Sequence, residues 1–186
     1  MLSDDDRRAL LRFVRETIAA HLDGRPLPTL EAAGAFDRRG GAFVTVRADG
    51  ALRGCIGWVE SDDALVDVVS LCAISAATED PRFPALESAD LLSVDLELSI
   101  MGPIEPVADV RQIEIGRHGV IVEHPPYRGL LLPQVALEWG WDLETFLAQT
   151  CIKAGLPADA WRHGATILRF EAEVFGEART DGGQGE

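Results

Sequence analysis

The chain has 186 residues, 47% of them hydrophobic and 26% charged, a balance ordinary for a folded domain and too apolar for a disordered one. That length fits one domain, or two halves sharing a core, and it buries enough apolar surface to need no disulfide or metal staples. With 17 basic against 31 acidic side chains the formal charge is −14, which argues against binding nucleic acid or anionic lipid, since both require many phosphates to be neutralised.

Ser3-Asp4-Asp5-Asp6 carries the wrong charge for a signal peptide, and no apolar segment with a small-residue cleavage site follows. The longest stretch free of charged residues, Val68–Thr78, is far shorter than the roughly 20 residues of a membrane span. Cys55, Cys72 and Cys151 are widely spaced and form no CxxC pair, so free thiols in a reducing cytoplasm are expected.

In chain order, Ser3 caps a first helix whose Leu10, Leu11, Val14 and Ile18 recur at helical spacing to about His21. Pro26 and Pro28 end it. Ala42–Arg47 and Leu52–Trp58 flank Asp49-Gly50, the strongest short hairpin signal available. Ser61 is expected to cap a second helix striped by Leu65, Val68, Val69, Cys72, Ala73 and Ala76, which the prolines of Asp80-Pro81-Arg82-Phe83-Pro84 stop. Val94, Leu96, Leu98 and Ile100 alternate with polar residues as a half-buried strand, expected to end at Gly102-Pro103. Ile113–Glu123 and Gly129–Leu132 read as two further strands. Asp142 opens a third helix bearing Leu143, Phe146, Leu147 and Cys151, stopped at Gly155-Leu156-Pro157. Thr166–Phe175 alternates as a last strand. From Gly176 the chain is Gly-rich and polar, with residues 178–186 expected as a flexible tail. Hairpin-connected strands mixed with helices indicate an α+β fold, a mainly antiparallel sheet flanked by helices, over residues 1–177.

Chemistry concentrates in Leu52-Arg53-Gly54-Cys55-Ile56-Gly57. Two glycines in a strand imply a bulge, close backbone approach or room for a ligand. Period-2 alternation places Arg53 and Cys55 on one face, where a guanidinium raises the thiolate fraction of a cysteine. Cys55 is thus either a nucleophile with Arg53 as activator, or a small buried residue beside a structural ion pair. Asp80 and Arg82 sit at a rigid turn, where Arg82 either binds an anion or pairs with Asp80 to pin the turn. His118, between glycines in Gly116-Arg117-His118-Gly119, is a candidate general base or a solvated turn histidine. Gln134 follows Pro133 among apolar residues, and either satisfies a buried backbone group or points into a pocket. The histidines His21, His118, His124 and His163 lack HxxxH or HxH spacing, so neither a metal site nor a cofactor is expected.

These segments carry a family resemblance. Leu52–Gly57 (LRGCIG), Asp80–Phe83 (DPRF), Glu114–Gly119 (EIGRHG) and Gly129–Ala136 (GLLLPQVA), with Lys153–Leu156, Trp161, Glu173 and Phe175, resemble the AMMECR family in type and order. The prokaryotic members are called AmmeMemoRadiSam system protein A, and the likeness runs from the first helix to about Glu177. Arg117 stands where lysine is common, and Trp58-Val59-Glu60 is atypical. The resemblance implies a sheet-based α+β fold with a smaller inserted subdomain, and a partnership with a Memo-like protein and a radical-SAM protein. It supplies no reaction. The expected function is an accessory or binding protein that takes a small molecule, peptide or partner at the LRGCIG/DPRF surface, with Arg53 and Arg82 holding an anionic group that Gly54 and Gly57 allow close to the backbone. The alternative is an enzyme using Cys55 as nucleophile, Arg53 as activator and His118 as base.

Overall fold

A computed structural model of the chain describes residues 2–177, so the tail expected at 178–186 lies outside the described residues. The chain divides into two units, Met1–Ile100 together with the stretch from Glu173 onward, and Met101–Ala172.

In the first unit, helix α1 spans Asp4–Leu22. Ser3 Oγ accepts the Asp6 N–H at 3.1 Å while the Asp6 carboxylate accepts the Ser3 N–H at 3.0 Å, a reciprocal cap that satisfies two otherwise orphaned donors. Strands β1 (Ala42–Ala48) and β2 (Ala51–Trp58) form the hairpin, with Asp49 at φ +51° and Gly50 at φ +80°, the two left-handed residues that match the twist of paired strands. Helix α2 spans Leu65–Thr78. Ser61 does not cap it. The Leu65 N–H donates instead to the Arg38 carbonyl at 2.9 Å, and Ser61 Oγ accepts the Asp63 N–H, so main chain rather than a side chain satisfies the helix start.

The apolar stripes of α1 and α2 meet Val44, Val46, Leu96 and Leu98 in one core. Strand β3 spans Val94–Pro106, running through Gly102-Pro103 where an end is predicted. Its last pairing with β1 is Ala42 opposite Ile100, so Pro103 lies where that neighbour has ended and a missing N–H costs no bond to β1. Gly176 and Glu177 are likewise more ordered than their composition predicts. Strand β6 spans Thr166–Gly176, and Glu177 pairs with Arg15 and accepts the Leu96 N–H at 3.0 Å.

In the second unit, β4 spans His118–His124 and β5 Tyr127–Leu131. The strand predicted from Ile113 begins only at His118, because Glu114–Arg117 forms a turn in which the Glu114 carbonyl accepts the Arg117 and His118 N–H groups. Pro133–Glu138 is a short helix, α3, unforeseen in the sequence although Pro133 occupies its first turn. Helix α4 spans Leu143–Lys153, capped by Asp142 accepting the Thr145 N–H at 2.8 Å. Phe146, Leu147 and Cys151 pack on Val120, Val122 and Ile167.

The six strands are ordered β2-β1-β3-β6-β4-β5, with β1 antiparallel to β2 and β3, and β4 antiparallel to β5 and β6. With four α-helices among the described residues this is an α+β fold.

Candidate functional site

The hairpin turn and one irregularity decide where Cys55 points. A regular ladder from the Asp49-Gly50 turn pairs Ala48 with Ala51 and Arg47 with Leu52, and would continue to Thr45 opposite Gly54. Instead the register slips at Val46/Arg47. Val46 lies opposite Gly54 and Thr45 opposite Cys55, with Arg53 as the extra residue of a bulge. A one-residue slip exchanges the faces of everything beyond it. Gly54 and Ile56 therefore turn toward helix α2 and the core, while Cys55 shares the opposite face with Thr45. The alternation that would put Arg53 and Cys55 on one face is broken at Arg53 itself.

Cys55 is half-buried, and three contacts fix it. The Thr45 hydroxyl donates to its Sγ at 3.3 Å. Its N–H donates to Asp80 Oδ2 at 2.9 Å, and its carbonyl accepts Arg82 Nη2 at 3.3 Å. Strand β2 is at the edge of the sheet, and the Asp80-Pro81-Arg82 turn fills its outer side with side-chain bonds where another strand would otherwise pair. Asp80 is only 4% exposed, yet its carboxylate is fully occupied: besides Cys55 it accepts the Arg82 N–H at 3.1 Å, Arg82 Nε at 2.9 Å and Arg82 Nη2 at 2.7 Å. The Arg82 guanidinium, followed by the Cys55 and Arg82 N–H groups, holds Asp80 far below the usual carboxylate range in spite of its burial. The Arg82 side chain remains more than half exposed and lies 5.4 Å from the Phe83 ring centroid.

The other predicted residues fall out differently. Arg53 donates to the Pro84 carbonyl at 2.6 Å, so the guanidinium that bonds Cys55 is that of Arg82. The space beside both glycines is occupied by protein. A Cβ on Gly54 would lie 2.0 Å from the Ala76 carbonyl of α2, and one on Gly57 would lie 2.3 Å from the Phe43 ring. Each glycine permits that close packing. Thr45 joins the candidate site although strand alternation does not point to it, because only the bulge brings it opposite Cys55.

His118 and Gln134 belong to the second unit. His118 is 4% exposed and not a solvated turn residue: its Nδ1 accepts the Glu114 N–H at 2.9 Å and its Nε2 lies 3.9 Å from Glu171. Burial, reinforced by Arg169 and Arg117, lowers its pKa and keeps the ring neutral at pH 7. Gln134 is half-buried on α3. Cys72 and Cys151 are buried on their helix stripes, and burial pushes Cys72 up to about 11 and Cys151 in the same direction. Among the described residues no group of three or more His, Cys, Asp or Glu lies together to hold a metal ion, and no helix is long and apolar enough to cross a membrane.

A protein of Methanothermobacter thermautotrophicus is 46% identical, the match covering 95% of this chain and 96% of that one. Protein MJ0810 of Methanocaldococcus jannaschii is 40% identical over 98% and 95% of the two chains. The crystal structure of uncharacterized protein PH0010 from Pyrococcus horikoshii superposes with a TM-score of 0.85 at 38% identity, covering 91% of this chain and 90% of that one. The AMMECR1 family model matches residues 11–175, nearly the whole described chain, and the protein belongs to the AMMECR1 family.

Proposed function

We propose that the Cys55 edge of the first unit is a recognition site, and that the protein is an accessory or binding component of a system with a Memo-like protein and a radical-SAM protein. One observation carries the site: Cys55 is clamped at its N–H, carbonyl and Sγ, yet its side chain stays half-buried rather than sealed in the core. A residue fixed that firmly presents its thiol, and the exposed Arg82 guanidinium beside it, in one geometry to a small molecule, peptide or partner surface. The partner proteins are inferred from the family resemblance. The −14 charge argues for a local site over a nucleic-acid groove, and three free thiols fit a reducing cytoplasm. Co-purification with the Memo-like and radical-SAM proteins tests the reading. Arg82→Ala and Arg53→Ala are expected to reduce recovery, Arg82→Ala more strongly; undiminished recovery with both would sink it.

A second reading, a thiol enzyme with Cys55 as nucleophile, is favoured by the Thr45 hydroxyl, whose bond to Sγ holds the half-buried thiol in one orientation. Arg82, bonded to the Cys55 carbonyl, replaces Arg53 as the nearby cation, and His118, engaged with Glu114, has no contact that makes it the base. Alkylation of Cys55 across pH, with Cys72 and Cys151 as internal controls, tests this reading. A rate that rises as for an ordinary free thiol would count against the nucleophile.

A further inference from the structure

Helix α3 ends in a geometry that holds an aromatic ring in solvent. Gly140, at φ +63°, takes the left-handed conformation that reverses the chain. The Trp141 N–H then donates back to the Ala136 carbonyl at 2.9 Å, and the Gly140 N–H to that of Leu137 at 3.2 Å. This closure tucks the half-buried Trp141 against the core of the second unit. Trp139 stacks on it, with ring centroids 6.0 Å apart and planes 19° from parallel. At 69% exposure Trp139 is still the most exposed large apolar side chain described in that unit. The fold does not need it there, since the residues that α3 buries are Pro133 and Ala136.

Three other partly exposed rings each carry a cation. Arg162 lies over Trp161 at 4.4 Å, Arg82 over Phe83 at 5.4 Å and Arg7 over Phe175 at 5.9 Å, each guanidinium drawn to the electron-rich face of the ring. Among the described residues no cation of the chain lies over Trp139. The sequence holds no Lys, Arg or His between Arg128 and Lys153, but three carboxylates, Glu138, Asp142 and Glu144. Arg162 reaches this stretch from outside and is held between Glu144, at 2.7 Å, and Trp161. Bonds from Thr145 lower the pKa of Asp142 and keep it an anion. The second unit as a whole has nine acidic against six basic residues.

We propose that the Trp139–Trp141 stack is a docking surface for a basic segment of a partner protein. Trp139 receives an arginine or lysine side chain in the position that the chain's own arginines fill on its other rings. The acidic surroundings attract such a segment, and the stack fixes the ring beforehand, so little conformational freedom is lost on docking. The surface lies wholly within the second unit and is independent of the Cys55 site, so either can fail alone.

A capped, fluorescently labelled pentapeptide of alternating leucine and arginine is the probe, titrated against the full chain by anisotropy. Beside it runs the same peptide with citrulline, an uncharged isostere, in place of each arginine. The arginine peptide is expected to bind, and the citrulline peptide at least about fivefold more weakly. Trp139→Ala changes an exposed position and leaves all 31 acidic and 17 basic side chains in place. It is expected to weaken the arginine peptide roughly five- to thirtyfold, with Trp139→Phe in between. Equal binding to Trp139→Ala would assign the affinity to the acidic background, and equal binding of the citrulline peptide would assign it to apolar contact. Either result overturns the proposal, as does an arginine peptide that does not bind. Sedimentation showing the native chain dimeric and Trp139→Ala monomeric would also overturn it, by making a second copy the occupant.

Discussion

The LRGCIG strand and the EIGRHG segment are the two motif regions that carry a candidate reactive side chain, and the protein treats them in opposite ways. At Cys55 the main chain is held by side chains, Asp80 on the N–H and Arg82 on the carbonyl, and the thiol is left half-buried. At His118 the side chain is itself the holding group: it is buried, and its Nδ1 secures the Glu114 N–H at the turn that precedes β4. A distinctive residue in a motif is thus a site only where its own functional atoms are not already spent on the fold. By that standard Cys55 is the stronger candidate and His118 the weaker.

The contrast is broken most severely at Gly54. An added Cβ there meets the Ala76 carbonyl, which is backbone of α2 and cannot rotate away, so Gly54→Ala is expected to cost about 3 kcal/mol in urea unfolding. Asp80→Ala removes the acceptor for the Cys55 N–H and for Arg82, and is expected to cost about 2–3 kcal/mol. Asp80 also sets a pH signature. Its folded pKa lies below the ordinary carboxylate value, so its contribution is complete above about pH 4 and is lost as the pH falls toward the folded value. Acid unfolding of the native protein should accordingly be steeper below pH 4 than that of Asp80→Ala.

His118→Gln is expected to cost about 1 kcal/mol at pH 7, the scale of one buried hydrogen bond. Because burial lowers the folded pKa of His118, protonation favours the unfolded chain, and its contribution is full above about pH 6.5 and declines below. A stability profile measured from pH 7 to 5 should flatten in the Gln variant. A profile that stays as steep would show that His118 is not buried as a neutral group. Gly57→Ala sharpens the comparison at its weakest point. Its added Cβ meets the Phe43 side chain as well as the Ala42 carbonyl, so rotation of the ring relieves part of the clash and the expected loss is about 1–2 kcal/mol. A loss as large as that of Gly54→Ala would mean the Phe43 ring is as immovable as helix backbone.

Much of the fold was legible because its signals are local. Ser3 with Asp6, the Asp49-Gly50 turn, Asp142 before Leu143 and the alternation of Thr166–Phe175 each act within a few residues, and each element forms where those residues place it. The misreadings involve partners distant in sequence. Ser61 loses the cap of α2 to the Arg38 carbonyl, Pro103 is tolerated because β1 has already ended, and Glu177 is held by Arg15. The short helix α3 was missed because six residues carry too little periodicity to declare themselves.

By itself the sequence determined the α+β class, the family, and the segments that hold the unusual residues, since composition, capping and turn residues act over short range. Tertiary structure alone decided which atoms in those segments remain available. A one-residue bulge at Arg53 turned Cys55 away from the helices and opposite Thr45, a slip of register that alternation along one strand does not reveal. Packing filled the space beside Gly54 and Gly57, and folding the DPRF turn against the β2 edge made Asp80 and Arg82 the clamp on Cys55. The physical reason is common to all three: a side chain's face, its burial and its hydrogen-bond partners are set by neighbours that the chain brings together only when it folds.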